Sequence, residues 1–119
     1  MMNHIELGRL GEKLACFYLK RKGYRIIGRN IRFHKEEIDI LALYNKQLVV
    51  VEVKTRRTRR FGKPAEAVNY YKQKHIRNVT NYVWNYYIPI YNAKIVRFDI
   101  IEVTADEGLY AINHIENCF

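Results

Sequence analysis

The sequence is short of cysteine, of acidic side chains and of long apolar runs, and each shortage excludes something. Two cysteines and four scattered histidines offer none of the spacings of a zinc site. Cys16 falls inside an expected helix and Cys118 lies next to the last residue, so no structural disulfide is expected between them. No run approaches the roughly 18–20 apolar residues that cross a bilayer. Met1-Met2-Asn3-His4-Ile5-Glu6 lacks the apolar stretch of a secretory signal, so the expected location is cytoplasmic, with no membrane partner. Internal repeats and low-complexity segments are absent as well. Asp and Glu number 12 against 21 Lys and Arg, a formal net charge of +9. Such an excess favours polyanionic partners, nucleic acid before anionic lipid. A basic protein with no nucleic-acid role stays open on composition alone.

A length of 119 residues with 49% hydrophobic content is that of one globular domain, here 1–119, with one core. Residues 6–22 read as a helix with an apolar stripe of Leu7, Leu10, Leu14, Phe17 and Tyr18, stopped at Gly23. A second stripe, Gly8, Glu12, Ala15 and Leu19, would let this helix approach a sheet closely. Tyr24 to Phe33 reads as a strand broken near Gly28. Ile38–Leu43 and Leu48–Val53 flank the polar turn Tyr44-Asn45-Lys46-Gln47, which predicts a hairpin. A basic loop spans 55–63. Pro64 to Tyr87 reads as helix with a break near Asn69, an inward stripe of Ile76, Val79, Val83 and Tyr86 or Tyr87, and a stop at Pro89. Ile95–Val103 is a further strand, and Leu109–Ile115 a weak last one after the turn Glu107-Gly108. The order predicts an α/β fold, one mixed sheet flanked by helices. Most of the ten tyrosines are expected in the core or on half-buried helix faces rather than as base-stacking platforms.

Charges inside the apolar strands carry the chemistry. Asp39 sits within Ile38-Asp39-Ile40-Leu41, and Glu52 and Lys54 within Val49-Val50-Val51-Glu52-Val53-Lys54. Asp, Glu and Lys are depleted from strands, and burying an unpartnered charge costs several kcal/mol. A turn centred between Asn45 and Lys46 would set Asp39 opposite Glu52 and Glu37 opposite Lys54, unless a bulge intervenes. Two carboxylates forced together suit a hard divalent cation such as Mg²⁺, which takes one or two carboxylates and keeps several waters. The Val53 carbonyl is a further candidate ligand. One carboxylate of the pair should have a raised pKa, and Glu52→Gln should relieve repulsion without harming the metal-free fold. The competing reading is a cross-strand salt-bridge network through Lys54, in which case Glu52→Gln would destabilise.

Asp39 followed by Glu52-x-Lys54 resembles the PD-(D/E)xK nuclease signature. Around it, Gly8-Arg9-Leu10-Gly11-Glu12, Tyr18-Leu19, Gly23-Tyr24, Arg29-Asn30, Glu37-Ile38-Asp39, Val51-Glu52-Val53-Lys54-Thr55-Arg56, Phe61-Gly62, Glu66-Ala67-Val68 and Lys72 resemble the YraN-like family of predicted endonucleases, themselves similar to archaeal Holliday junction resolvases. The likeness runs from about Gly8 to Val103. It implies a restriction-endonuclease-like αβββαβ core and cleavage of DNA, branched or damaged DNA included, with Mg²⁺ or Mn²⁺ held by Asp39 and Glu52. By the same resemblance Lys54 activates water or stabilises transition-state charge, Glu12 has a supporting or second-metal role, and a homodimer is expected. A non-catalytic nucleic-acid-binding module with the same fold is the alternative. Arg56, Arg57, Arg59, Arg60 and Lys63, extended by Arg9 and Lys13, fit contacts to phosphate without sequence readout, on DNA ahead of RNA. Lys72 and Gln73 open the second long helix, where related nucleases often place a polar residue near the metal; Gln73 reads as a surface residue. Glu36 stands where the family usually has Gly, which adds a negative charge beside the expected phosphate path.

Overall fold

The computed structural model describes residues 2–57 and 69–119. It has α1 (His4–Arg21), β1 (Arg25–Phe33), β2 (Glu36–Tyr44), β3 (Gln47–Arg56), α2 (Tyr70–Tyr86), α3 (Ile88–Tyr91), β4 (Ile95–Asp106) and β5 (Leu109–Ile115). The five strands form one mixed sheet in sequence order. Only β3 and β4 run parallel, joined across α2 and α3; the other pairs are antiparallel. This is the αβββαβ order the sequence predicts, with the expected weak last strand as β5 and a short α3 added. Among the described residues no helix is long and apolar enough to cross a membrane.

Local chemistry sets the boundaries. Asn3 caps α1 in a reciprocal box with Glu6, which starts the helix two residues before its apolar periodicity does. Gly23, at φ +93°, ends it, and Tyr24 N–H returns to the Leu19 carbonyl at 2.9 Å. Asn45 and Lys46 both have positive φ, the two-residue turn that matches strand twist, and Tyr44 pairs Gln47 as the hairpin register predicts. A bulge between Ile26 and Gly28 accounts for the break in β1. Asn69 caps α2 by accepting the Lys72 N–H at 2.8 Å. The helix expected over 64–68 lies outside the described residues. Pro89 does not stop α2 directly; it stands in the first turn of α3, where a missing N–H costs nothing.

Two apolar clusters, rather than one core, lie on opposite sides of the sheet. Ala15, Cys16 and Leu19 of α1 pack with Ile40, Ala42, Val49, Val51, Ile101 and Val103. Val79 and Val83 of α2 pack with Ile38, Leu41, Leu48, Val50 and Phe98. Tyr87 rather than Tyr86 joins the α2 side, since Tyr86 is exposed. Both cysteines are free.

The buried face of α1 is not the large-residue stripe. It is Leu7, Gly11, Ala15, Cys16 and Leu19, while Phe17 is 62% exposed beneath the Arg21 guanidinium. Small residues win because a helix lies closest to a sheet where its side chains are shortest. Gly11, and not Gly8, makes that approach. A Cβ on Gly11 would lie 1.9 Å from Thr55 Oγ1 and 2.9 Å from its Cβ, whereas Gly8 has open space. Thr55 is β-branched on a paired strand and has little room to give. Gly11→Ala should therefore cost about 1–3 kcal/mol, the scale of overpacking, despite the better helix propensity of alanine. Gly8→Ala should not. Parallel urea titrations check the pair.

Candidate metal and nucleic-acid site

The antiparallel ladder of β2 and β3 ends at Ile40–Val51, one pair short of Asp39 and Glu52. At that point the Val53 N–H donates to Asp39 Oδ2 at 2.9 Å, so a side chain replaces the ladder. The alternation of β2 also slips here. Ile40 and Ala42 belong to the α1-side cluster, yet Ile38 joins Leu41 on the α2 side. Asn30, opposite this stretch on β1, is left-handed at φ +51°. The strands thus part where the carboxylates stand. The expected direct pairs, Asp39–Glu52 and Glu37–Lys54, are not in the ladder; Glu37 faces Arg32 on β1 instead, at 3.8 Å.

Asp39 carries the electrostatic strain. Burial raises its carboxyl, the Val53 N–H counteracts, and the charges of Glu12, Glu52 and Glu37 raise it further, to about 6. Glu52 is differently placed, between two ammoniums: Lys72 Nζ lies 2.6 Å from Oε2 and Lys54 Nζ 4.0 Å from Oε1. Glu52 and Lys54 are two apart on β3 and share one face. The expectation that Glu52→Gln leaves the metal-free fold unharmed is thereby corrected: the mutation removes a salt bridge to Lys72. The penalty of the paired carboxylates sits on Asp39. Of the two polar residues opening α2, Lys72 reaches the site, and Gln73 is exposed, as its surface reading predicts.

Asp39 and Glu52 line a common cavity of about 100 Å³ with Lys72, His75, Phe98 and Phe119. Among the described residues no three His, Cys, Asp or Glu side chains gather closely enough to share an ion, so the donors on offer are these two carboxylates. That set fits Mg²⁺ or Mn²⁺, which need few protein ligands. Burial and the neighbouring carboxylates disfavour the Asp39 charge, a penalty that a bound cation would relieve.

Glu12 does not line this cavity and lies 4.0 Å from Arg29, yet among the carboxylates its charge raises the Asp39 carboxyl most. In the orientation that satisfies both its amide atoms, Asn30 donates to Glu12 and to Glu37. Arg9 and Lys13 border an open pocket with Arg29 and Asn30 on that side. Arg56 is turned to Glu102 on β4 at 3.5 Å, and Arg57 donates to the Met2 carbonyl. Arg59, Arg60 and Lys63 lie outside the described residues.

Two polar clusters escaped the sequence reading. Glu36 does not point a bare charge outward: His75 Nδ1 lies 2.6 Å from Oε1, and Asn78 donates to Oε2 at 2.7 Å. Burial works against its ionised form, but bonds from Asn78 and His75, with the charges of His75 and Lys74, outweigh it and hold the carboxyl below its usual range. Glu36 thus clips the β1–β2 turn to α2. The second cluster is Asp99, fully buried, with Arg97, His114 and the Asn117 N–H around it. Arg97-x-Asp99 inside an apolar strand is the same kind of signal that singled out Asp39 and Glu52, and it was there to be read.

Comparison with known proteins gives the family. The family model described as "Uncharacterised protein family UPF0102" matches residues 11–103. A UPF0102 protein of Alkaliphilus oremlandii is 50% identical, with 96% of this chain and 97% of that one aligned. One of Caldicellulosiruptor bescii is 41% identical over 99% of this chain and all of its own length. One of Phocaeicola vulgatus is 41% identical over all of this chain and 96% of its own.

Proposed function

This chain belongs to the uncharacterised protein family UPF0102, and from that membership and the site geometry we propose that it is a metal-dependent endonuclease hydrolysing phosphodiester bonds of DNA, branched or damaged DNA included. The observation that carries the reading is the meeting of Asp39 and Glu52 in one cavity with two ammoniums beside them, where β2 and β3 part. Asp39 and Glu52 would hold Mg²⁺ or Mn²⁺. When bound, such an ion polarises a phosphoryl oxygen and lowers the pKa of water. Val53 fixes the orientation of Asp39 through its N–H. Lys54 supplies fixed positive charge where negative charge grows on the phosphoryl oxygens. Lys72 holds Glu52 in place in the metal-free chain. Glu12, reaching Asp39 through its field rather than by contact, supports the site and does not ligate. Arg9, Arg57 and the further cations Arg59, Arg60 and Lys63 position the phosphate backbone. A cytoplasmic homodimer would present two such sites to a branched substrate.

A binding module without cleavage is the second reading, favoured by the Lys72–Glu52 pair, which already neutralises one of the two carboxylates. A panel of linear, nicked, flapped and four-way-junction DNA with Mg²⁺ and with Mn²⁺ separates the two. Cleavage is expected on at least one substrate, and Glu52→Gln should lower it at least about a hundredfold, the scale of losing one charge-stabilising group. Salt-dependent binding with no cutting under either metal would leave the binding module.

A further inference from the structure

Beside the carboxylate site lies an open groove of about 750 Å³ between the β1–β2 turn and α2. Its α2 wall follows one helix face: Tyr71, Lys74, Asn78, Asn81 and Asn85 recur at steps of three and four, with Tyr86 beside them. Tyr82, stacked flat on Phe33 with centroids 3.8 Å apart, also lines it. Lys35 adds a second cation from the turn. The Glu36 carboxylate does not charge the groove freely, because both its oxygens are engaged by His75 and Asn78.

Most of the ten tyrosines are buried or half-buried, as the sequence predicts, but two on this wall, Tyr71 and Tyr86, are not. Four of the ten, Tyr70, Tyr71, Tyr86 and Tyr110, are exposed, Tyr71 at 79% and Tyr86 at 63%. Exposed rings, side-chain amides and lysines suit one ligand chemistry in combination. Rings stack on the face of any base. Amides of Asn both donate to and accept from base edges. Ammoniums meet the backbone. Base edges are free only where the nucleic acid is unpaired. His75 lines this groove and the carboxylate cavity alike, so the two adjoin at that side chain.

We propose that the groove between the β1–β2 turn and α2 receives unpaired nucleotides of a single-stranded DNA segment running into the Asp39–Glu52 site. This deepens the nuclease reading by naming the structural class of its substrate, and it rests on that reading only for the direction of the strand.

The test measures binding in EDTA, where no cleavage occurs, using a single-stranded oligonucleotide carrying 2-aminopurine and its blunt duplex at matched salt. The parent chain should bind the single strand at least tenfold more tightly and change 2-aminopurine fluorescence on binding. Tyr71→Ala and Asn81→Ala alter exposed side chains and leave the fold intact. Each should weaken single-strand binding about five- to hundredfold, the scale of losing one stacked or bonded base, and at least five times more than it weakens duplex binding. Trp84→Ala, an exposed aromatic on α2 outside the groove, should change neither affinity. Equal affinity for both DNA forms, or an equal loss in Trp84→Ala, overturns the proposal. Discriminating binding without metal-supported cleavage sinks the nuclease reading alone. Cleavage of duplex that ignores Tyr71→Ala, with no preference for single strands, sinks the groove alone.

Discussion

Asp39→Asn should abolish metal-supported cleavage and yet stabilise the metal-free protein above pH 6. Asparagine keeps the shape and an acceptor for the Val53 N–H, while removing a charge that burial and the fields of Glu12, Glu52 and Glu37 disfavour. The native carboxyl titrates at about 6 against 3.8 for an ordinary one. Between those values the unfolded chain has released its proton and the native chain still holds it, so parental stability falls as pH rises through this window. Below about pH 3 both states are protonated and the penalty vanishes. Above 6 it is complete: ~3 kcal/mol at most from the shift, and nearer 1–2 kcal/mol once solvent screening of a partly exposed group is counted. Urea titrations of both proteins at pH 3 and pH 8 should therefore nearly coincide at the acid end and separate at the alkaline end, with the mutant more stable. Mg²⁺ should raise the melting temperature of the parent at pH 8 and leave the mutant unmoved, because a ligand stabilises only the state that binds it. A mutant less stable at pH 8 would mean that the Asp39 charge holds the fold and has no cation to wait for.

How far the sequence reached depends on the kind of signal. The β2–β3 hairpin was legible to the residue because a two-residue polar turn leaves one register, and Tyr44 does pair Gln47. The last strand was legible down to its Glu107-Gly108 turn. Asp39, Glu52 and Lys54 stood out because charges in apolar strands demand a reason. The parting of the strands at Asp39 did not show, since it comes from a side chain taking the Val53 N–H and from Asn30 in a left-handed conformation, both outside any period-two pattern. Nor did the orientation of α1: periodicity weighs residues by size, while contact with the sheet selected Gly11 and Ala15. Partners far apart in sequence were hidden by nature, as with Lys72 on Glu52 and His75 on Glu36. Glu36 taken alone read as repulsion toward phosphate; with α2 folded against it, the same charge is a clip.

Asp99→Ala should be the most destabilising of these substitutions, at about 3–5 kcal/mol, the cost of orphaning a buried charge. The Asp99 carboxylate is sealed from solvent and receives four hydrogen bonds from three residues. Arg97 donates twice, at 2.9 and 2.8 Å, His114 Nε2 lies at 2.7 Å, and the Asn117 N–H donates at 3.0 Å. Arg97 is tied further to Gln47 and to the Tyr24 hydroxyl, and His114 to the Tyr18 hydroxyl at 3.0 Å. The network thus joins α1, the start of β3, β4, β5 and the segment after β5. Removing the carboxylate leaves a nearly buried guanidinium with no anion of comparable contact, since Glu116, at 3.3 Å, is itself largely exposed. Burial opposes the ionised form of Asp99, but the bonds from His114, Arg97 and Asn117 outweigh it and depress the carboxyl. The sign is opposite to that of Asp39: this stability is present above the ordinary carboxylate range and is lost as pH falls through the depressed native value. The gap between parent and Asp99→Ala should accordingly be widest near pH 7 and narrow on strong acidification, while the gap for Asp39→Asn opens on the alkaline side. Thermal melts from pH 3 to 8 follow both. A cost for Asp99→Ala that stays constant down to pH 3 would mean the aspartate acts through packing alone, with its charge contributing nothing.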